Sequence, residues 1–125
     1  MPRDFDDEVF PADKLNALRL GRLLVAEVKA SRPGCRAWVA VHPVRTDADS
    51  AAQQEGWTRS DAGRSFRLTH SEFLTEHLEG WDYDIESTEI RRTFATDEAD
   101  LLIQLKDWAV PPAHLTYPWN TDYPA

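Results

Sequence analysis

One cysteine, Cys35, occurs in 125 residues. No internal disulfide is therefore open to the chain, and a reducing, cytoplasmic setting is the expectation. No apolar run approaches the roughly 20 residues needed to cross a bilayer. The acidic start, Met1-Pro2-Arg3-Asp4-Phe5-Asp6-Asp7-Glu8, lacks the apolar stretch of a signal peptide. No membrane partner is expected. The five glycines never fall into Gly-x-Gly-x-x-Gly or a phosphate-binding loop. Gly-x-Ser-x-Gly is missing, and Cys35 lies in Pro33-Gly34-Cys35-Arg36, which is not a protease or redox context. His-Glu-x-x-His is missing too. The chain thus shows no catalytic residue set, no metal site and no cofactor motif, and its reading leans away from an enzyme.

Charge is abundant but unevenly placed. The net charge is −8, yet residues 1–69 carry 11 basic and 10 acidic groups, whereas residues 70–125 carry 3 basic and 12 acidic. A nucleic-acid binder needs clustered Lys and Arg to displace counterions from phosphates, so nucleic acid is excluded as the expected partner. A one-sign surface instead steers oppositely charged molecules. Residues 71–90 hold seven carboxylates and no Lys or Arg.

With 42% apolar residues, five Trp, five Phe and three Tyr, the composition is globular, and the length fits one domain, 1–125. Residues 1–10 read as a loose arm anchored by Phe5 and Phe10. From Asp13 to Ser31, apolar residues at Leu15, Leu18, Val25 and at Ala17, Leu20, Leu24, Val28 suggest one helix closed by Pro33 and Gly34. A shorter helix followed by a strand near Leu23 to Val28 is the competing reading. Arg36 to His42 reads as a strand ended by Pro43. Residues 46–56 read as a loop with some helical turn. Trp57 to Ser60 and Arg64 to Thr69 bracket Asp61-Ala62-Gly63 as a hairpin with Gly63 left-handed.

Thr69 and Glu72 have the spacing of a capping box, and Leu68 and Phe73 that of its hydrophobic staple, which predicts a helix from about His70 to Glu79 stopped by Gly80. Strands are expected over 81–86 and Ile90 to Phe94. Thr96 then caps a helix with the stripe Leu101, Leu102, Leu105, Trp108 and Ala109, ended by Pro111-Pro112. The tail, 111–125, is rich in aromatics and is expected to be ordered but irregular. The fold class predicted is α+β: a single compact domain with an antiparallel or mixed sheet of about four or five strands and about three helices.

The segment that carries most chemistry is Trp81-Asp82-Tyr83-Asp84-Ile85-Glu86. In a strand, alternate side chains point to opposite faces, so Asp82, Asp84 and Glu86 would form an acidic ladder behind the apolar Trp81, Tyr83 and Ile85. Carboxylates about 7 Å apart repel by about 0.6 kcal/mol in water, and by about 2.4 kcal/mol at an effective dielectric near 20. A solvated face absorbs the first figure without functional meaning. The second makes a cationic partner worthwhile. Trp119 and Tyr123 in the tail would be anchors if exposed, because Trp and Tyr dominate binding hot spots.

His70 and His77 would sit two turns apart on the predicted helix, about 10 Å along its axis, too far to share a metal ion. His42 ends a strand. Arg59, Arg64, Arg67, Arg91 and Arg92 are expected to make ordinary ion pairs with nearby carboxylates. The leading functional expectation is a small acidic protein-binding module that docks a basic protein partner. Its concrete form is an immunity or antitoxin-type inhibitor of a nuclease toxin, with Asp82, Asp84, Glu86, Trp81, Tyr83, Trp119 and Tyr123 at the interface. The alternatives are a small enzyme or ligand-binding domain using His42 or His77 with a glutamate in a cavity, and a homo-oligomeric scaffold subunit.

Overall fold

A computed structural model describes residues 10–75, 87–121 and 123. The chain opens with α1 (Ala12–Arg19), which carries Asp13 in its first turn and Arg19 in its last, the signs the helix dipole favours. It ends at Gly21, whose φ of +83° is costly for any residue with a Cβ. Strand β1 (Leu24–Val28) follows. The expected single helix from Asp13 to Ser31 is therefore two elements, and the shorter helix with a strand behind it is the correct reading. The ambiguity has a physical origin: Leu24, Val25 and Ala26 are all buried, so this strand lacks the polar alternation that marks strand period.

Strand β2 (Cys35–Pro43) crosses the middle of the sheet, and a loop then leads to α2 (Asp47–Gln54). The backbone N–H of Thr46 donates to Asp49 Oδ2 at 2.7 Å, the reach-back half of a capping box that turns part of the expected 46–56 loop into a two-turn helix. Residues 57–60 form no strand, so the expected hairpin is a turn rather than a strand pair. Gly63 N–H donates to Asp61 Oδ1 at 2.8 Å, and Gly63 is not left-handed.

Strand β3 (Phe66–Leu74) runs straight through the position where Thr69 and Glu72 suggested a helix start. Glu72 does not cap; it is fully buried and accepts from Ser31 N–H at 2.6 Å and Arg32 Nε at 3.1 Å. A long-range partner has overridden local propensity. Residues 70–74 are strand, and 76–80 lie outside the described residues. Strand β4 (Ser87–Ala95) pairs with β3 across a register shift between His70 and Ser71. Helix α3 (Glu98–Asp107) is capped by Asp97, one residue later than expected: Asp100 N–H donates to Asp97 Oδ1 at 2.8 Å. Thr96 N–H donates instead to Asp100 Oδ2 at 2.9 Å. Ala109, at φ +57°, closes this helix as Val110 N–H reaches back to Leu105 O at 2.9 Å.

The result is one α+β domain with a four-stranded antiparallel sheet in the order β1-β2-β3-β4. On its inner face Leu24, Ala26, Val39, Val41, Phe66, Leu68 and Ala95 pack with Ala17 and Leu18 of α1 and Leu101 and Leu105 of α3. Phe10 and Trp108 join that cluster. On the outer face a smaller cluster of Val25, Trp38, Ala40 and Phe73 is covered by Leu23 and Tyr123. Among the described residues no helix is long and apolar enough to cross a membrane.

Candidate functional site

The tail decides which aromatics are available to a partner. Pro111 and Pro112 end regular helix, and a 3-10 turn at Pro112–His114 seats Leu115 in the core. Thr116 then bridges the free edge of β1, with Val25 N–H donating to Thr116 O at 2.9 Å and Thr116 N–H to Val25 O at 2.7 Å. That contact covers part of an edge strand that would otherwise invite pairing. A second 3-10 turn, Pro118–Asn120, carries the chain on to Thr121, whose hydroxyl accepts from Trp38 Nε1 at 3.2 Å.

Between these fixed points Trp119 projects outward and is 72% exposed. Its ring lies flat on Tyr117, with centroids 4.8 Å apart and planes 5° from parallel. Lys14 Nζ of α1 sits 4.1 Å from the centre of the Tyr117 ring. Stacking and the cation hold the pair as a rigid ridge, which lowers the entropy lost on contact with a partner. Tyr123 has a different role. It meets Trp38 and Phe73 edge to face at 6.0 and 6.3 Å, and burial pushes its hydroxyl above the ordinary tyrosine range. Tyr123 is thus largely a cover for the outer sheet face, while Trp119 is presented to solvent. The other five expected interface residues, Trp81, Asp82, Tyr83, Asp84 and Glu86, lie outside the described residues.

The other half of the outer face is cationic. Register places His42 directly opposite Arg67, Arg67 opposite Phe94, and Thr69 opposite Arg92. Phe94 is 59% exposed. His42 Nε2 lies 3.3 Å from Thr69 Oγ1. Burial, with Arg67 and Arg92 adding to it, lowers the His42 pKa below its ordinary 6.5. No described carboxylate bonds this imidazole. Arg92 pairs with Glu89 at 2.8 Å, but Arg67 Nε is buried with no hydrogen-bond partner among the described residues.

Of the remaining arginines only Arg59 makes the expected surface ion pair. Arg64 is buried and grips Asp49 through two 2.7 Å bonds, and that grip holds the Asp49 carboxyl far below the usual carboxylate range. Arg59 lies 2.9 Å from Asp61. Arg91 stacks over Trp108 at 4.3 Å and donates to His70 Nδ1 at 3.3 Å. His70 therefore sits on β3, not on a helix with His77, and His77 itself is outside the described residues. Among the described residues no three His, Cys, Asp or Glu side chains converge as a metal site would require.

The buried Arg64–Asp49 pair and the His42–Arg67 juxtaposition were missed in the sequence. Both depend on contacts between residues at least 15 apart, and only the alternation of β2 and β3 hinted at the second. The chain matches no protein-family model, no curated protein and no solved structure.

Proposed function

We propose that the chain is a protein-binding module that docks a basic protein partner, with an immunity or antitoxin-type inhibitor of a nuclease toxin as its concrete form. The observation that carries the reading is Trp119, an indole held 72% exposed on a pinned tail. Large exposed aromatics on rigid supports are the residues that dominate binding energies. The preference for a basic partner rests on charge. The described residues carry 13 basic and 12 acidic side chains, a net of +1, so the acidic excess that makes the net charge −8 lies in the stretches 1–9, 76–86 and 122–125. Within the second of these, Asp82, Asp84 and Glu86 would steer a cationic surface into place and substitute for phosphates there, with Trp81 or Tyr83 filling a pocket.

Affinity capture from native lysate at low and high salt tests this. The expected catch is a protein of strongly basic pI whose recovery falls with salt, and in a variant combining Asp82→Asn, Asp84→Asn and Glu86→Gln. Trp119→Ala should weaken that complex by about 2 kcal/mol, near thirtyfold, because it removes an anchor and no core contact. Its unfolding free energy should fall by no more than about 1 kcal/mol, the worth of the lost stack on Tyr117. Recovery of only acidic or abundant non-specific proteins would remove the basis for the proposal.

A further inference from the structure

A cavity of about 200 Å³ opens where the end of α1 meets α2, lined by Leu20, Arg45, Asp49, Gln53, Trp57 and Thr58, with Arg59 completing the wall. Its floor is already neutral and saturated. Both Asp49 oxygens are taken by Arg64 at 2.7 Å, and Oδ2 also accepts from Thr46 N–H at 2.7 Å. The Arg64 guanidinium spends its remaining donors on the carbonyls of Arg19, Val44 and Arg59, at 2.9 to 3.3 Å. Nothing on that floor is left to bind a cation.

The walls are different. Arg59 Nη1 is buried and forms an ion pair with Asp61 Oδ2 at 2.9 Å, with Asp49 Oδ1 3.7 Å away. Arg45 has only Gln53 Oε1, at 3.4 Å, as a polar neighbour and no carboxylate among the described residues. A methyl placed on Gly21 would lie 3.9 Å from both Arg45 Nη1 and Arg64 Nη1, so both guanidiniums flank this turn. Arg64 is thus paired with Asp49 and Arg59 with Asp61, Glu55 is bound to Trp57 at the mouth, and Arg45 is the cation left without a carboxylate partner among the described residues. At the mouth stands Trp57, 52% exposed, its indole N–H tied to Glu55 at 3.0 Å so that the ring plane is fixed.

We infer that this cavity binds a small oxyanion, a phosphate or carboxylate group, held by Arg45 and Arg59 with the Thr58 hydroxyl in reach. Guanidinium N–H pairs match either oxyanion geometrically. The volume is below the roughly 300 Å³ at which drug-sized pockets begin. The occupant is therefore a free ion or the anionic end of a larger molecule whose body would lie on Trp57. This site is separate from Trp119 and does not depend on the protein-binding proposal.

The test follows the indole and arginine side-chain N–H signals of the intact protein by NMR at fixed ionic strength. Inorganic phosphate, acetate and phenyl phosphate are titrated in turn. Saturable shifts at Trp57 and Arg59 are expected with at least one of the two simple anions, and which one responds tells tetrahedral from planar recognition. If the natural ligand extends beyond the anion, phenyl phosphate binds at least about tenfold tighter than phosphate, a difference one stacking contact of about 1.4 kcal/mol supplies. Equal affinity marks a free ion. Arg45→Gln, an exposed change that leaves the Arg64–Asp49 pair intact, should weaken binding about tenfold or more. The exposed Lys29→Gln, with the same loss of charge, should leave it unchanged. No saturable shift with any probe, equal losses in the two variants, or shifts confined to His42 and Arg67 would overturn the inference.

Discussion

The two faces of one sheet are built from the same four strands and end up unlike each other. Inside, Val39, Val41, Phe66 and Leu68 meet α1 and α3 and are sealed from water. Outside, Val25, Trp38 and Phe73 are sealed by Tyr123 and the tail around Thr121, Arg67 and Thr69 are partly buried, and Arg92 and Phe94 are exposed. Pleat alternation assigns a residue to a face. Whether that face is core or surface depends on what is laid across it. The inner face is covered by two amphipathic helices, and the outer by a short aromatic tail that, among the described residues, meets β1 at Val25, β2 at Trp38 and β3 at Phe73.

Three measurements press on that contrast. The largest effect belongs to the inner face: Phe66→Ala should cost about 3–5 kcal/mol in denaturant unfolding, since the ring is fully buried and a cavity would remain. Phe94→Ala, on the opposite face of the neighbouring strand, should stay within about 0.5 kcal/mol. A large loss at Phe94 would mean that the outer face is covered after all.

An intermediate effect is expected from acid. Arg64 hydrogen bonds hold Asp49 below its ordinary 3.8, and the Ser31 N–H bond with help from Arg32 holds Glu72 below 4.5. Both carboxylates take up protons more readily in the unfolded chain, so the stability they lend is full above these values and is lost as pH falls through the depressed folded ones. His42 and His70 are also lowered, chiefly by burial, with Arg67 and Arg92 pressing on the first and Arg91 on the second. Each favours the unfolded state once pH drops below 6.5, because only the unfolded imidazole then protonates freely. Urea midpoints across pH 7.5 to about 2.5 should show a shallow decline near 6 and a steeper one below about 4. A flat profile down to pH 3 would contradict the assigned ion pairs.

The smallest effect is at the tail. Tyr123→Ala should cost about 1 kcal/mol, the value of losing edge contacts at a partly buried position. It should also speed exchange of the Trp38 indole proton that Thr121 accepts. Unchanged exchange would mean that the tail covers Trp38 without help from Tyr123.

Much of the architecture was legible beforehand. The α+β class, β2, β4 and the last helix follow from apolar period and from breakers such as Pro43 and Pro111. Two of the readings that failed have specific reasons. Leu24 to Ala26 are buried on both sides, so neither helical nor strand period stands out there. Thr69 and Glu72 carry a helix-start pattern, yet Glu72 is needed by Ser31, 41 positions away, and the strand wins. The site was less legible: Trp119 was picked out with its exposure left open, while Tyr123, named beside it, serves mainly as cover. The cavity gave no local signal, because Arg45, Asp49 and Arg59 converge only after α1, α2 and the following loop are packed together.

Sequence alone determined the charge asymmetry, the single thiol, the apolar periods and the order of most elements, since each is a property of composition or of neighbours a few residues apart. Tertiary structure decided the partner of Glu72, the burial of Arg64 against Asp49, which part of the outer sheet face the tail lies on, and that Trp119 faces water while Tyr123 is mostly turned onto the sheet. Those outcomes depend on groups distant in the chain competing for the same space and the same hydrogen bonds, and no local pattern records that competition.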